Sequence, residues 1–367
     1  MLADHAHDPE KALSDHIEDV PNASLIPFTE VGKRGRQVLG GVLREDGSFV
    51  DASRCFISET RAVNRPATPM PIEIHRAGTW LFGGKHDARF GHFLVETLAR
   101  LWALDMVADP IAGIVFLPWK VMHPRRAARR LNKTRGLFDL VPDLPPIEVA
   151  SVPTSFDRLI VPPQGCGATL MAPGCPEFRA YIKARFAPDV APSGAGKIFV
   201  SRTAIRSTPG HLLFEDRLED LARQNGYEIF HPQMHSLPDQ IAQYRAAGVI
   251  LGVEGSAFHL VAFSGTCAKI GFIRRRMGEA PLGFLGQLSR MTGGPVFDLD
   301  HLIENFLIDG TIPMANAVPD FDGLTADLIR HGFLARNQEI PRITASDVVA
   351  ERRRLEIDIL GPTASTG

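Results

Sequence analysis

The sequence is poor in cysteine and has none in a paired motif: Cys55, Cys166, Cys175 and Cys267 are scattered, with neither a CxxC pair nor metal-ligand spacing. That usage excludes a cysteine-held zinc site and fits a reduced compartment. No apolar run approaches the ~20 residues needed to span a bilayer. Met1 to Glu10 is polar and acidic rather than charged and then apolar, so no signal peptide is expected. Net charge is also small, since 40 Lys plus Arg against 42 Asp plus Glu leave −2. The chain therefore has no global attraction to nucleic acid or to an anionic membrane, and any phosphate must be gripped locally. A cytoplasmic location is expected, without a nucleic-acid partner, and with a peripheral inner-membrane or polysaccharide-assembly partner left open.

Several catalytic motifs are also missing. Gly194-Ala195-Gly196-Lys197 resembles the end of a phosphate loop, but Ala191 takes the first glycine position and Ile198 replaces the Ser or Thr. That argues against a kinase or ATPase. No GxSxG elbow occurs, which argues against an α/β-hydrolase. Asp298-Leu299-Asp300 has the DxD form that holds a divalent ion on donor phosphates, but it comes late and is assigned to a loop or helix start. No metal site is expected. His5 and His7 sit in a polar arm and read as solvated histidines.

What is present describes a soluble globular chain: 367 residues, 44% hydrophobic and 22% charged, long enough for two lobes. Residues 1–24 lack a period and read as a flexible arm. In residues 25–188, short β-prone stretches (37–43, 48–50, 80–82, 111–117, 158–161) surround a helical pattern at 91–106. Arg125-Arg126-Ala127-Ala128-Arg129-Arg130 reads as a solvated helix face, contact with a membrane or polymer being the lesser alternative. Residues 187–196 carry two prolines and two glycines and read as a linker.

Beyond the linker the chain is regular. Strands are expected at 197–201, 227–230, 249–251 and 269–273, with helices at 213–224, from Ser236, and at 256–263 between them. Ser236 and Asp239 have capping-box spacing. This alternation implies parallel βαβ units, whose ligands lie beyond the carboxyl ends of the strands. Residues 189–300 are thus a Rossmann-like lobe. Residues 301–367 are expected to be loop-rich, ending in a charged helix at 345–360 that packs back.

Three constellations can carry chemistry. His92, Glu96 and Arg100 recur at i, i+4, i+8 on the first helix, which is equipment for deprotonating a hydroxyl or else a solvated ion-pair row. Arg202 and Arg206 follow a strand and either fork onto a diphosphate or decorate the surface. Glu254-Gly255-Ser256, followed by His259, opens a helix whose first N–H groups favour an anion; the alternative is a plain tight turn.

In this order the segments "GHFLVETLARLWAL", "KIFVSRTAIRS" with the acidic stretch from Leu213 to Gly252, and "GVEGSAFHLVAF" resemble the family-61 glycosyltransferases and their bacterial relatives in capsular polysaccharide biosynthesis. The likeness covers roughly residues 80–275. It implies an α/β fold of two Rossmann-like lobes of GT-B type with an interlobe cleft. Residues 25–188 would form the acceptor side and 189–300 the nucleotide-sugar side. It further implies an inverting, metal-independent enzyme that uses a nucleotide-diphosphate sugar, commonly a uridine one, as co-substrate, and a glycan acceptor. On that reading Glu96 is the base, His92 orients it and Arg100 supports it. Arg202, Arg206, Gly255 and Ser256 would hold the diphosphate, with Glu254 and His259 near ribose or base. Glu254 stands where the family motif usually has His. A non-catalytic glycan- or nucleotide-binding subunit of the same fold is the alternative.

Overall fold

The computed structural model describes residues 8–31, 37–58, 61–62, 64–65, 68–119, 122–205, 210–306 and 316–360. The chain divides into two compact units, Met1–Asp189 and Val190–Gly367, with the boundary inside the Pro- and Gly-rich stretch. No helix among the described residues is long and apolar enough to cross a membrane.

The strands of unit one are β1 (Glu18–Val31), β2 (Gln37–Leu43), β3 (Phe56–Ser58), β4 (Arg61–Ala62), β5 (Asn64–Arg65), β6 (Ile74–His86), β7 (Gly113–Pro118), β8 (Ile147–Val149) and β9 (Thr154–Val161). Seven of them form one mixed sheet in the order β5-β2-β1-β9-β6-β7-β8. β1 runs antiparallel to β2 and β9, while β6 is parallel to β9 and β7. This departs from the expected Rossmann-like pattern, which is all parallel. It also corrects the flexible arm at 1–24: residues 18–24 lie in β1, and Leu13, just before it, is buried. The two prolines of β1 hide the strand from sequence reading. Pro21 precedes Ser24, where pairing with β2 begins, so on that side its missing N–H breaks no ladder. Pro27 falls in the bulge between Ile26 and Thr29. Trp80, Phe82, Phe156, Leu25 and Val115 pack the core of this sheet. Each such buried side chain contributes about 1.5–3 kcal/mol over leaving it exposed.

From β6 the chain enters an irregular helix, residues 90–105 (α1). One short turn at Phe90–His92 leads into a π segment, Phe93–Thr97, and then a 3₁₀ segment, Leu98–Asp105. Every residue from Phe93 to Ala103 is buried. Helices α2 (Pro124–Phe138) and α3 (Pro176–Arg185) complete the unit.

Unit two is the regular part. Strands β10 (Lys197–Val200), β11 (Glu228–Phe230), β12 (Val249–Val253), β13 (Lys269–Ile273) and β14 (Val296–Leu299) form an all-parallel sheet in the order β11-β10-β12-β13-β14. Helices α4 (Glu215–Gln224), α5 (Leu237–Ala246), α6 (Ala257–Phe263) and α7 (Ala280–Met291) link them. Counted along the chain the strand order is 2-1-3-4-5, a doubly wound sheet whose winding reverses between β10 and β12. Gly252 makes that junction tight, because a Cβ there would meet the Val200 carbonyl at 2.6 Å. At α5 the Ser236 hydroxyl accepts the Asp239 N–H, as the capping spacing predicts.

Among the described residues, 301–367 is less loop-rich than expected. It holds the antiparallel pair β15 (Leu302–Phe306) and β16 (Asn316–Pro319), then α8 (Phe321–Arg330) and α9 (Ala345–Leu360). Leu355 of α9 joins the core of unit two. Asp298 of the DxD sequence is in β14 rather than in a loop or helix start. Arg274 forks onto its carboxylate and also binds Asp300 at 2.9 Å, so the two acids share one internal cation.

Candidate active site

In unit one, the first constellation forms around Glu96. Glu96 is fully buried, and its Oε1 lies 2.8 Å from Nδ1 of His92. Its Oε2 pairs with Lys85, a buried side chain at the end of β6 that sequence reasoning did not single out. The row is therefore no solvated ion-pair ladder: the carboxylate is sealed, hydrogen-bonded to His92 through one oxygen and ion-paired with Lys85 through the other. His92 is the exposed member, with 36% of its side chain open to solvent.

Arg100 does not belong to this group. It is fully buried and donates to the carbonyls of Pro162, Ala52 and Arg54. Its expected task of orienting Glu96 is taken by Lys85 and His92. The cause is the winding. An i+4 pair faces one way on an α-helix, but a 3₁₀ segment turns about 120° per residue, so Arg100 swings to another side. It packs on the bare backbone of Gly84, where a Cβ would sit 2.5 Å from Nη1, and over the Phe82 ring. Burial lowers its pKa from the usual arginine value.

Asp87 completes the neighbourhood. Its backbone N–H donates to the Thr97 hydroxyl, and its carboxylate is gripped by Arg89. Burial pushes this carboxyl up, and the bonds from Arg89 outweigh that, leaving it below its ordinary range. Asp87, His92 and Glu96 each bring a ligand atom within 4.8 Å of the others. Two carboxylates are nevertheless matched by two cations, Lys85 and Arg89. With the formal charge balanced, the cluster offers a dication little electrostatic pull.

In unit two, Arg202 of the second constellation and Gly255 of the third meet at the carboxyl ends of β10 and β12, where the winding reverses. Arg202 follows β10 and lies against Gly255, which follows β12; a Cβ on Gly255 would be 2.7 Å from Arg202 Nη1. Arg202 Nε is buried without a hydrogen-bond partner. Two further guanidiniums, Arg275 and Arg276, follow β13. Burial is the main cause lowering Arg275 to about 10, and the charge of Arg202 adds to it. Glu254 is completely buried and accepts the N–H groups of Arg275 and Arg276 at 3.0 Å each, with a further bond from the Arg276 side chain. Its expected contact with ribose or base gives way to this internal role of fixing the arginine loop.

Glu215, at the start of α4, accepts the Arg202 N–H at 2.6 Å and the Ser201 hydroxyl. Burial pushes its pKa up to about 7, against the pull of Arg202 and Ser201. The same burial lowers Arg202, with Glu215 and Glu254 opposing. Three guanidiniums thus face two carboxylates, one of them only partly ionised near neutrality. The balance is positive and the Nε of one guanidinium is unused, so the corner is suited to an anion.

Of the remaining expected residues, Ser256 is exposed at the start of α6. His259 is buried, stacked on Phe284 and 2.6 Å from Gln287, so it serves the packing of α6 on α7. Arg206, His5 and His7 lie outside the described residues. Lys85 could have been found as a charge inside the apolar run of β6. Arg275 and Arg276 could have been found by applying the strand-end rule to β13 as it was applied to β10.

A doubly wound parallel sheet with guanidiniums beyond the carboxyl ends of its strands defines the chain as an α/β protein. The family model for Glycosyltransferase 61 matches residues 90–271, a span that holds His92, Glu96, Arg202, Glu215, Glu254 and Gly255. The chain belongs to this family and is a glycosyltransferase. No curated protein matches it.

Proposed function

We propose that the protein transfers a sugar, with inversion, from a nucleotide-diphosphate donor to a glycan hydroxyl, in the synthesis of a surface polysaccharide. The observation that carries this reading is Arg202 against Gly255, inside the span matched by the family, with Arg275 and Arg276 beside it just beyond that span. A diphosphate leaving group develops charge as the anomeric C–O bond breaks, and fixed guanidiniums stabilise that charge without a metal. Gly255 and the first N–H groups of α6 would take the remaining phosphate oxygens.

The reading revises the proton acceptor. Glu96 has both oxygens engaged and no exposure, whereas His92 has its second ring nitrogen available. His92 is the base, and Glu96, held by Lys85, fixes the ring and balances the imidazolium that forms. The acceptor oxygen attacks the anomeric carbon, its proton passes to His92, and the nucleoside diphosphate leaves. On this reading unit two holds the donor and unit one carries the base that serves the acceptor.

The test is release of nucleoside diphosphate from a panel of uridine, guanosine, cytidine and thymidine diphosphate sugars, with and without chelator. His92→Ala should abolish transfer while donor binding persists. Binding without turnover across the whole panel would favour the non-catalytic subunit instead, and transfer by His92→Ala at the wild-type rate would remove the base assignment.

A further inference from the structure

Helix α2 carries Arg125, Arg126, Arg129, Arg130, Lys133 and Arg135 and no carboxylate. At about 100° per residue, the first five share an arc of about 140°. Ala127, Thr134 and Phe138 point the other way and are buried against the unit. Arg125, Arg126, Arg129 and Lys133 are exposed. Among the described residues none of the five is bridged to a carboxylate. The whole chain has a net charge of −2, so this concentration of cations is local.

Neither constellation uses this face, which lies within the span matched by the family. We infer that it adsorbs to a surface of anionic phospholipid. The arc is broad and convex rather than a groove or a single file of charges, which suits a planar array of headgroups better than one threaded polyanion. No aromatic side chain interleaves with the cations, so the face lacks a platform for stacking bases. The large exposed apolar residues lie outside α2, so attachment is peripheral and without a hydrophobic wedge. Near an anionic bilayer each Lys or Arg strengthens binding about fivefold, and the effect fades with salt.

The experiment is co-sedimentation of the full chain with phosphatidylcholine vesicles, with and without phosphatidylglycerol. Binding is expected only with the anionic lipid and should be released by raised salt. The quadruple variant Arg125→Gln, Arg126→Gln, Arg129→Gln, Lys133→Gln should bind at least about a hundredfold more weakly. A control with the same charge change elsewhere, Lys183→Gln, Arg336→Gln, Arg342→Gln, Arg353→Gln, should bind like wild type. If the quadruple variant is misfolded by circular dichroism, the pairs Arg125/Arg126 and Arg129/Lys133 are tested separately, each expected to lose at least about tenfold. Equal binding to neutral vesicles, undiminished binding of the α2 variants, or retention on an acidic polysaccharide without vesicle binding would each overturn the inference.

Discussion

Substituting Lys85 by Met tests the buried pair behind His92. Lys85 and Glu96 are 2% and 0% exposed, so removing the ammonium leaves a carboxylate in a dry environment with one hydrogen bond, from His92. Breaking one half of a buried pair costs about 3–5 kcal/mol. The surviving bond to His92 places the expected loss near the lower end, about 3 kcal/mol. Replacing both partners, as Lys85→Met with Glu96→Leu, removes the orphaned charge and should return stability to within about 1 kcal/mol of wild type. The assay is built into the molecule: Trp80, Trp102 and Trp119 are its three tryptophans and all lie in unit one. Tryptophan emission during urea unfolding therefore reports this unit separately. A loss below about 1 kcal/mol for Lys85→Met, or additive losses in the double variant, would refute the argument that the pair is sealed and mutually dependent.

Four further outcomes follow from the geometry. Arg202→Ala should weaken nucleoside-diphosphate binding by about 1.5–3 kcal/mol in titration calorimetry, the scale of a hydrogen bond to a charged group. Gly255→Ala should weaken it in the same direction with the fold intact, since the new methyl falls 2.7 Å from Arg202 Nη1. Glu215, raised from 4.5 to about 7, holds its proton more tightly when folded, so its contribution to stability is complete below pH 4.5 and is lost as pH rises through 7. Glu215→Gln should thus gain thermal stability relative to wild type above pH 7 and show no gain near pH 4, read from melting midpoints across that range. Arg100→Leu should cost about 3 kcal/mol or more by the tryptophan assay, because three carbonyls lose their donor.

Unit two was largely legible before any coordinates. Each parallel strand is a short apolar run set between helices with visible stops, and β13 falls on the expected residues 269–273. Local chemistry suffices there, as the Ser236 cap illustrates. Unit one resisted because its sheet is joined by pairing between distant segments: β1 meets β9 some 140 residues later along the chain, and its prolines sit at a ladder gap and a bulge. Within the sites, His92 with Glu96 and Arg202 with Gly255 could be read from spacing and from the strand-end rule. Lys85, Glu215, Arg275 and Arg276 could not be paired with them, since burial and charge partnership are set by packing. Arg100 was misplaced because the period of α1 changes between Glu96 and Leu98, which residue types alone do not announce.

That change of period has a consequence for editing the chain. The wide turn at Phe93–Thr97 works as a phase shifter between two fixed alignments, His92 with Glu96 on one side and Arg100 with its carbonyls on the other. Shortening it by one residue would give a smoother coil and rotate everything downstream by about 100°. The smoother helix would then lose either the histidine dyad or the arginine clamp, so in this segment irregular winding and a working molecule are inseparable.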